Sequence, residues 1–199
     1  TFDVIAPGVA KHEEEIVLAP GAEPAADPNL VLRVAVAAAE FGLPIAPGTL
    51  RNLKKCPIGD RNWTDESREL FIRLLASGPA LLNAWEDIDF IDVPGKLIPE
   101  WLGVRNRPSA SAAHRYTIDR HMVEVVTRLG RETPSGGRYD DRHYEALLLA
   151  GILHDIGKRP GVANHAAEGA RHATVVVERM GFDRDIVRWV TLLVREHLT

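Results

Sequence analysis

The segment Ala146-Leu147-Leu148-Leu149-Ala150-Gly151-Ile152-Leu153 constrains this chain more than any other. Such an aliphatic run belongs inside a core, as a buried helix or strand. It ends abruptly in His154-Asp155-Ile156-Gly157-Lys158, which carries three titratable side chains. An imidazole and a carboxylate at the mouth of a core are costly to desolvate unless something compensates them, and a divalent metal does so well. Further histidines stand on both sides in sequence, His121 before, His165 and His197 after. The pattern predicts a metal-dependent hydrolytic site on a helical scaffold.

The 199 residues suffice for one large domain or two small ones, and a 45% hydrophobic fraction fills a real core. A net charge of −4 provides no global basic field, so DNA is not an expected partner. The single cysteine, Cys56, excludes an intramolecular disulfide framework and suits a reducing cytoplasm. No apolar run approaches the roughly 20 residues of a membrane span, and no signal peptide is visible. The chain opens on Thr1 and closes on Arg195-Glu196-His197-Leu198-Thr199 in mid-helix without a cap. Both ends look cut, as expected of a piece of a longer protein.

The expected fold is mostly α: an all-helical bundle preceded by a helical linker region and a short N-terminal β hairpin. Residues 1–26 are the least helical, with strands expected at 1–5 and 14–18 around Pro7-Gly8, then an Ala/Pro/Gly-rich loop. An orphan hairpin is marginal alone, so it should pack on the helices or on a missing part. Residues 27–104 read as the helical linker region. Asp27 caps its first helix, with Pro28 in the first turn and Gly42 and Pro44 as the stop. Thr64 caps a second helix, Pro79 opens a third, and a short one spans 96–102 around Trp101. A boundary is expected near Arg105-Asn106-Arg107-Pro108. Residues 105–199 then hold four helices, at 117–129, 139–154, 165–180 and from 183 to the end. Gly181 stops the third of these and Asp183 caps the fourth.

Each candidate residue has a bland reading beside the chemical one. Thr117 caps a helix with an inner stripe of Met122, Val125, Val126 and Leu129. His121 lies one turn before Val125, at the edge of that stripe, where a lone histidine is more often simply a core residue. Asp119, in the first turn, is either a cap-like anion or a hydrogen-bond partner that orients an imidazole. Gly157 permits a left-handed exit or close backbone approach, and Lys158 offers a cation to a phosphate oxygen. His165 opens a helix, so a capping role is equally open to it. Glu168 follows one turn later, another group able to orient a ring. His197 follows Leu193 by one turn and faces inward. His12, His114, His143 and His172 sit beside charged or small residues and read as solvated.

The order His121, His154-Asp155 and later histidines resembles the HD superfamily of metal-dependent phosphohydrolases. Guanosine-tetraphosphate hydrolases carry a Glu-Asp pair shortly after the His-Asp, where this chain has Ile156-Gly157-Lys158-Arg159. Within the superfamily the chain is most similar to the HD domain of the bifunctional nucleotidyltransferase/nucleotidyl-removing enzymes of PII nitrogen signalling, the GlnD family. The likeness rests on Arg105-Asn106-Arg107-Pro108, His114 to His121, Leu153 to Lys158, His165 to Ala170 and Val194 to Leu198. It is strong over 99–199 and weaker over 27–101, which resembles that family's linker. The resemblance implies three absences from this stretch: the N-terminal nucleotidyltransferase domain, the C-terminal glutamine-sensing domains, and a closing metal-ligand Asp just beyond Thr199.

What the resemblance implies is metal-dependent hydrolysis of the phosphodiester joining UMP or AMP to a tyrosine of nucleotidylated PII. The metal would be held by His121, His154 and Asp155, with His165 and His197 completing a second position. Lys158 would neutralise developing phosphate charge. Imidazole with carboxylate ligation suits Mn²⁺, Fe²⁺ or Zn²⁺, with Mg²⁺ also open. Two other readings stand beside it: a catalytically silent regulatory HD module, and an HD phosphohydrolase acting on free nucleotides.

Overall fold

The computed structural model describes residues 1–58, 63–109, 115–130 and 141–199. The chain begins with an antiparallel meander of β1 (Asp3–Ala6), β2 (Val9–His12) and β3 (Glu15–Leu18), in the order β1-β2-β3. The hairpin expected from sequence thus has a third, central strand. Val9-Ala10-Lys11-His12 is too short and too weakly alternating to stand out, but Val9 and Ala10 are fully buried and pair with Leu18 and Val17. Gly8 at φ +77° turns the chain between β1 and β2, a conformation in which glycine is unstrained. The sheet packs on the helical part. The Ile16 amide donates to the Pro44 carbonyl at 2.8 Å, and the Ala46 amide donates to Ile16 at 3.0 Å.

Helix α1 (Leu30–Phe41) is the central post of the first half. Nine of its twelve residues are buried, as its composition of Leu, Val and Ala dictates, and it packs against the sheet, α3 and α4. Its N-cap is Asn29, not Asp27. Asp27 instead accepts from the Asn29 amide and receives both terminal nitrogens of Arg33, at 2.8 and 2.9 Å. Gly42, at φ +65°, ends the helix as expected.

A short α2 (Pro47–Leu53), not anticipated, leads to α3 (Asp65–Leu75). There Thr64 and Ser67 form a reciprocal capping box. A 3-10 turn over Gly78–Ala80 precedes α4 (Leu81–Phe90), so Pro79 opens that turn and not the helix itself. The helix expected at 96–102 is split into α5 (Val93–Leu97) and a 3-10 turn (Pro99–Gly103), because Pro99 cannot donate the hydrogen bond that continuity requires.

The second half comprises α6 (Ile118–Leu129), α7 (Asp141–Leu153), α8 (His165–Arg179) and α9 (Arg184–Glu196). Thr117 stands at the α6 N-cap with extended backbone, but its side chain makes no capping hydrogen bond. Asn164, not His165, caps α8 by accepting from the Ala167 amide. Asp183 caps α9 as expected, accepting from Asp185 and Ile186. α7 is the inner helix and packs against α6 and α9, while α9 also packs along α8. One hydrophobic cluster runs from Val9 through Leu74, Ile88 and Trp101 to Val126, Leu149 and Val194. Among the described residues no helix is long and apolar enough to cross a membrane.

Candidate metal centre

The buried helix α7 stops at Leu153, and the next residues form a tight turn at its inner end. The Ile156 amide donates to Leu153, and the Lys158 amide donates to Asp155 at 3.0 Å. Gly157 explains why the turn lies where it does. A Cβ there would stand 2.3 Å from the His165 carbonyl and 2.4 Å from the Gly169 nitrogen. Backbone therefore meets backbone, and the first turn of α8 is drawn against the His-Asp segment. Gly169 completes this contact, its own missing Cβ lying 3.3 Å from Val194 of α9.

Asp155 is the centre of what results. Its side chain is only 3% exposed, and four groups from three elements converge on it. His121 of α6 places Nε2 3.8 Å from Oδ2, and His154 places Nε2 3.5 Å from the same oxygen. His197, just past α9, places Nε2 3.3 Å from Oδ1, and Lys158 donates to Oδ2 at 2.8 Å. His165 joins through its ring, 5.7 Å from that of His197. Two sets of donors lie close enough to share an ion, His121/His154/Asp155 and Asp155/His165/His197, with Asp155 common to both.

The hydrogen bonding tells which ring nitrogens are available. His154 Nδ1 is 2.7 Å from the Gly151 carbonyl, and His197 Nδ1 is 2.6 Å from the Val194 carbonyl. A carbonyl only accepts, so in both rings Nδ1 carries a proton and Nε2 is the nitrogen that faces the carboxylate, at 3.3–3.5 Å. A bare Nε2 lone pair against that anion is repulsive, and only a proton or a cation between them makes the contact favourable. Burial first, then the neighbouring imidazoles, keep the His154 proton affinity below the ordinary 6.5, which disfavours the proton. Burial alone would raise the Asp155 carboxyl, but the Lys158 ammonium, which donates to Oδ2, holds it below its ordinary value, so it is anionic. Asp155 Oδ1, His165 Nε2 and His197 Nε2 are buried and make no hydrogen bond to any described residue. Imidazole nitrogens, one shared carboxylate and orphaned donor atoms fit a divalent cation.

Six of the eight residues singled out from sequence are thus brought together: His121, His154, Asp155, Lys158, His165 and His197. Asp119 and Glu168 are not. Asp119 lies two residues from His121, on the opposite side of α6, and is buried against a different cleft with Trp85 and Tyr116. Glu168 is held by Arg171 at 2.6 Å and by His172 at 3.0 Å, away from the cluster. The His154 and His197 rings are oriented by backbone carbonyls instead. A histidine just past the last turn of a buried helix, three residues after a free carbonyl, is the signal that identifies such an orienting group.

Of the histidines expected to be solvated, His143 is exposed and lies against Trp189. His172 is not solvated, being only 14% exposed, because it packs over Glu168 on the inner side of α8. His12 stacks on Phe2, and His114 lies outside the described residues. A cleft of about 710 Å³ opens on the cluster. Its walls are Val125, Leu129, Leu147, Leu192, Leu193 and Leu198, with Lys158 the cation at its floor.

Comparison with known proteins finds relatives of this chain, although no family model matches it. Over 192 residues it is 38% identical to the bifunctional uridylyltransferase/uridylyl-removing enzyme of Mycobacterium tuberculosis (strain ATCC 25618 / H37Rv), covering 96% of this chain. It is 39% identical over 197 residues to the enzyme of the same name from Streptomyces coelicolor, and 34% identical over 140 residues to that of Caulobacter vibrioides. The chain spans 23% of the length of the first two relatives. Over the stretch it covers, this chain is homologous to the bifunctional uridylyltransferase/uridylyl-removing enzymes.

Proposed function

We propose that this chain is the uridylyl-removing, HD-type part of such an enzyme. It would hydrolyse the phosphodiester between a tyrosine of the PII protein and UMP or AMP. One observation carries the reading: two sets of metal donors share a buried carboxylate at the floor of an apolar cleft. His121, His154 and Asp155 would hold one divalent ion, and Asp155, His165 and His197 a second. Such ions, when bound, polarise a phosphoryl oxygen and make hydroxide available near neutral pH.

The chain's own groups do the rest. Gly151 and Val194 carbonyls hold the His154 and His197 rings with Nε2 inward. Asp155 remains anionic and spans both donor sets. Lys158 stands within reach of the phosphate position through its contact with Asp155, where it offsets charge that develops on the phosphoryl oxygens. The leucine and valine walls offer apolar surface to an aromatic ring.

The test is release of the nucleotidyl group from modified PII, read by mass spectrometry with added Mn²⁺, with His154→Ala and Asp155→Ala as controls. The protein is run beside a version extended beyond Thr199. Release that is lost in both variants is the expected result. No release from either length with metal bound, or faster release from free nucleotides, would refute the proposal.

A further inference from the structure

The turn that carries Asp155 and Lys158 is anchored from outside the four-helix half. Arg159 is the next residue. Its Nη2 donates at 2.7 Å to the Glu100 carbonyl in the 3-10 turn Pro99–Gly103, while its amide donates to Gly157 at 2.8 Å. The guanidinium lies flat over Gly103. A Cβ at Gly103 would stand 2.5 Å from Arg159 Cζ and 2.7 Å from Nε. This contact exists only because residue 103 has no side chain. The same turn is pinned on its other side. Arg179 of α8 grips the Glu100 carboxylate with two nitrogens at 2.9 and 2.6 Å, and Trp101 is wholly buried against Trp85. The platform under Arg159 is therefore rigid, and it belongs to the segment before residue 105.

We infer that Arg159 is a positioning residue: by clamping the 155–159 turn to the Pro99–Gly103 turn, it sets the placement of Asp155 between the two donor sets. The inference rests on the metal-site reading. It makes the donor geometry depend on the preceding helical segment. Arg159 touches none of the donors and is not itself a catalytic residue. Groups that support metal ligands from behind typically change metal affinity 10–100-fold when removed.

The test uses the whole chain with Arg159→Met, Arg159→Lys, Gly103→Ala and Glu100→Gln, each checked for folding by circular dichroism. Two readouts are taken: amide exchange over 155–159 in metal-free protein, and Mn²⁺ affinity by calorimetry. Arg159→Met and Gly103→Ala should both speed exchange of the Ile156, Lys158 and Arg159 amides and weaken Mn²⁺ binding about tenfold or more. Arg159→Lys should recover part of both effects. Glu100→Gln keeps the carbonyl that Arg159 holds and weakens only the Arg179 contact behind it, so its effect on both readouts should be smaller than that of Arg159→Met. Folded Arg159→Met protein with wild-type exchange in the turn and wild-type Mn²⁺ affinity would overturn the inference. If the wild-type chain takes up no Mn²⁺, the metal reading fails instead, and unchanged exchange would still reject the clamp.

Discussion

At the scale of single residues, Asp155 differs in kind from its neighbours because it alone belongs to both donor sets. If each set holds an ion, as proposed, Asp155→Asn should abolish binding of both. His121→Ala should remove only one ion and His165→Ala only the other, a distinction that metal analysis of the purified variants will show. Acid should act on the metal-free protein through the imidazoles. Burial holds His154, His165 and His172 below their ordinary 6.5, so the native chain resists protons that the unfolded chain accepts. For a base with a lowered native value, the stability is present in full above about 6.5 and declines as the pH falls through that value. Urea unfolding of metal-free protein should give a lower midpoint at pH 5.5 than at pH 7.5. A higher midpoint on acidification would show that the folded state holds these rings protonated.

At the scale of elements, the junction between the α7 turn and α8 is the most demanding in the molecule. Gly157→Ala forces a methyl against the His165 carbonyl and the Gly169 nitrogen, backbone atoms that cannot swing aside. Overpacking of this sort costs about 1–3 kcal/mol, and the shift of α8 would carry His165 away from His197. Thermal melts will show the first effect, and loss of one of two bound ions the second. The α1–α3 contact has a polar counterpart. Arg33, only 11% exposed on its side chain, bonds to Asp27, to Glu66 at 2.8 Å and to the Pro7 carbonyl. Arg33→Met keeps the packing but strands two carboxylates that are partly open to water, so about 1–2 kcal/mol of lost stability is expected from denaturant titration.

At the scale of the whole molecule, the apolar core crosses residue 105 without interruption. Trp101, fully buried beside Trp85, sits where the two halves meet, and Trp101→Ala should cost about 3–5 kcal/mol. If the halves fold as one unit, circular dichroism and tryptophan fluorescence will report a single coincident transition. Two separated transitions would mean that 27–104 and 105–199 are distinct folding units held together by the contacts around Glu100, Trp101 and Arg159.

Short-range chemistry was legible in the residues alone. The mostly helical class, the Thr64 and Asp183 caps, the Gly42 and Gly181 stops and the inward position of His121 and His197 follow from spacing and side-chain type, which act over a turn or two. Strand β2 and helix α2 were not legible, since each is too short for its periodicity to rise above its neighbours. The resemblance to a known family singled out the residues that belong together, but not how they meet. That His165 and His197 converge on one carboxylate depends on two glycines that let α8 and α9 approach the α7 turn. Asp119 and Glu168, also carboxylates and also within one turn of a candidate histidine, were turned toward other neighbours by the packing of α6 and α8. Ring orientation by the Gly151 and Val194 carbonyls, and the hold of Arg159 on Glu100, are contacts between groups that every helix end and every arginine carries. Tertiary structure alone decides which of those generic groups meet, because the choice is made by packing across distances that no local pattern encodes.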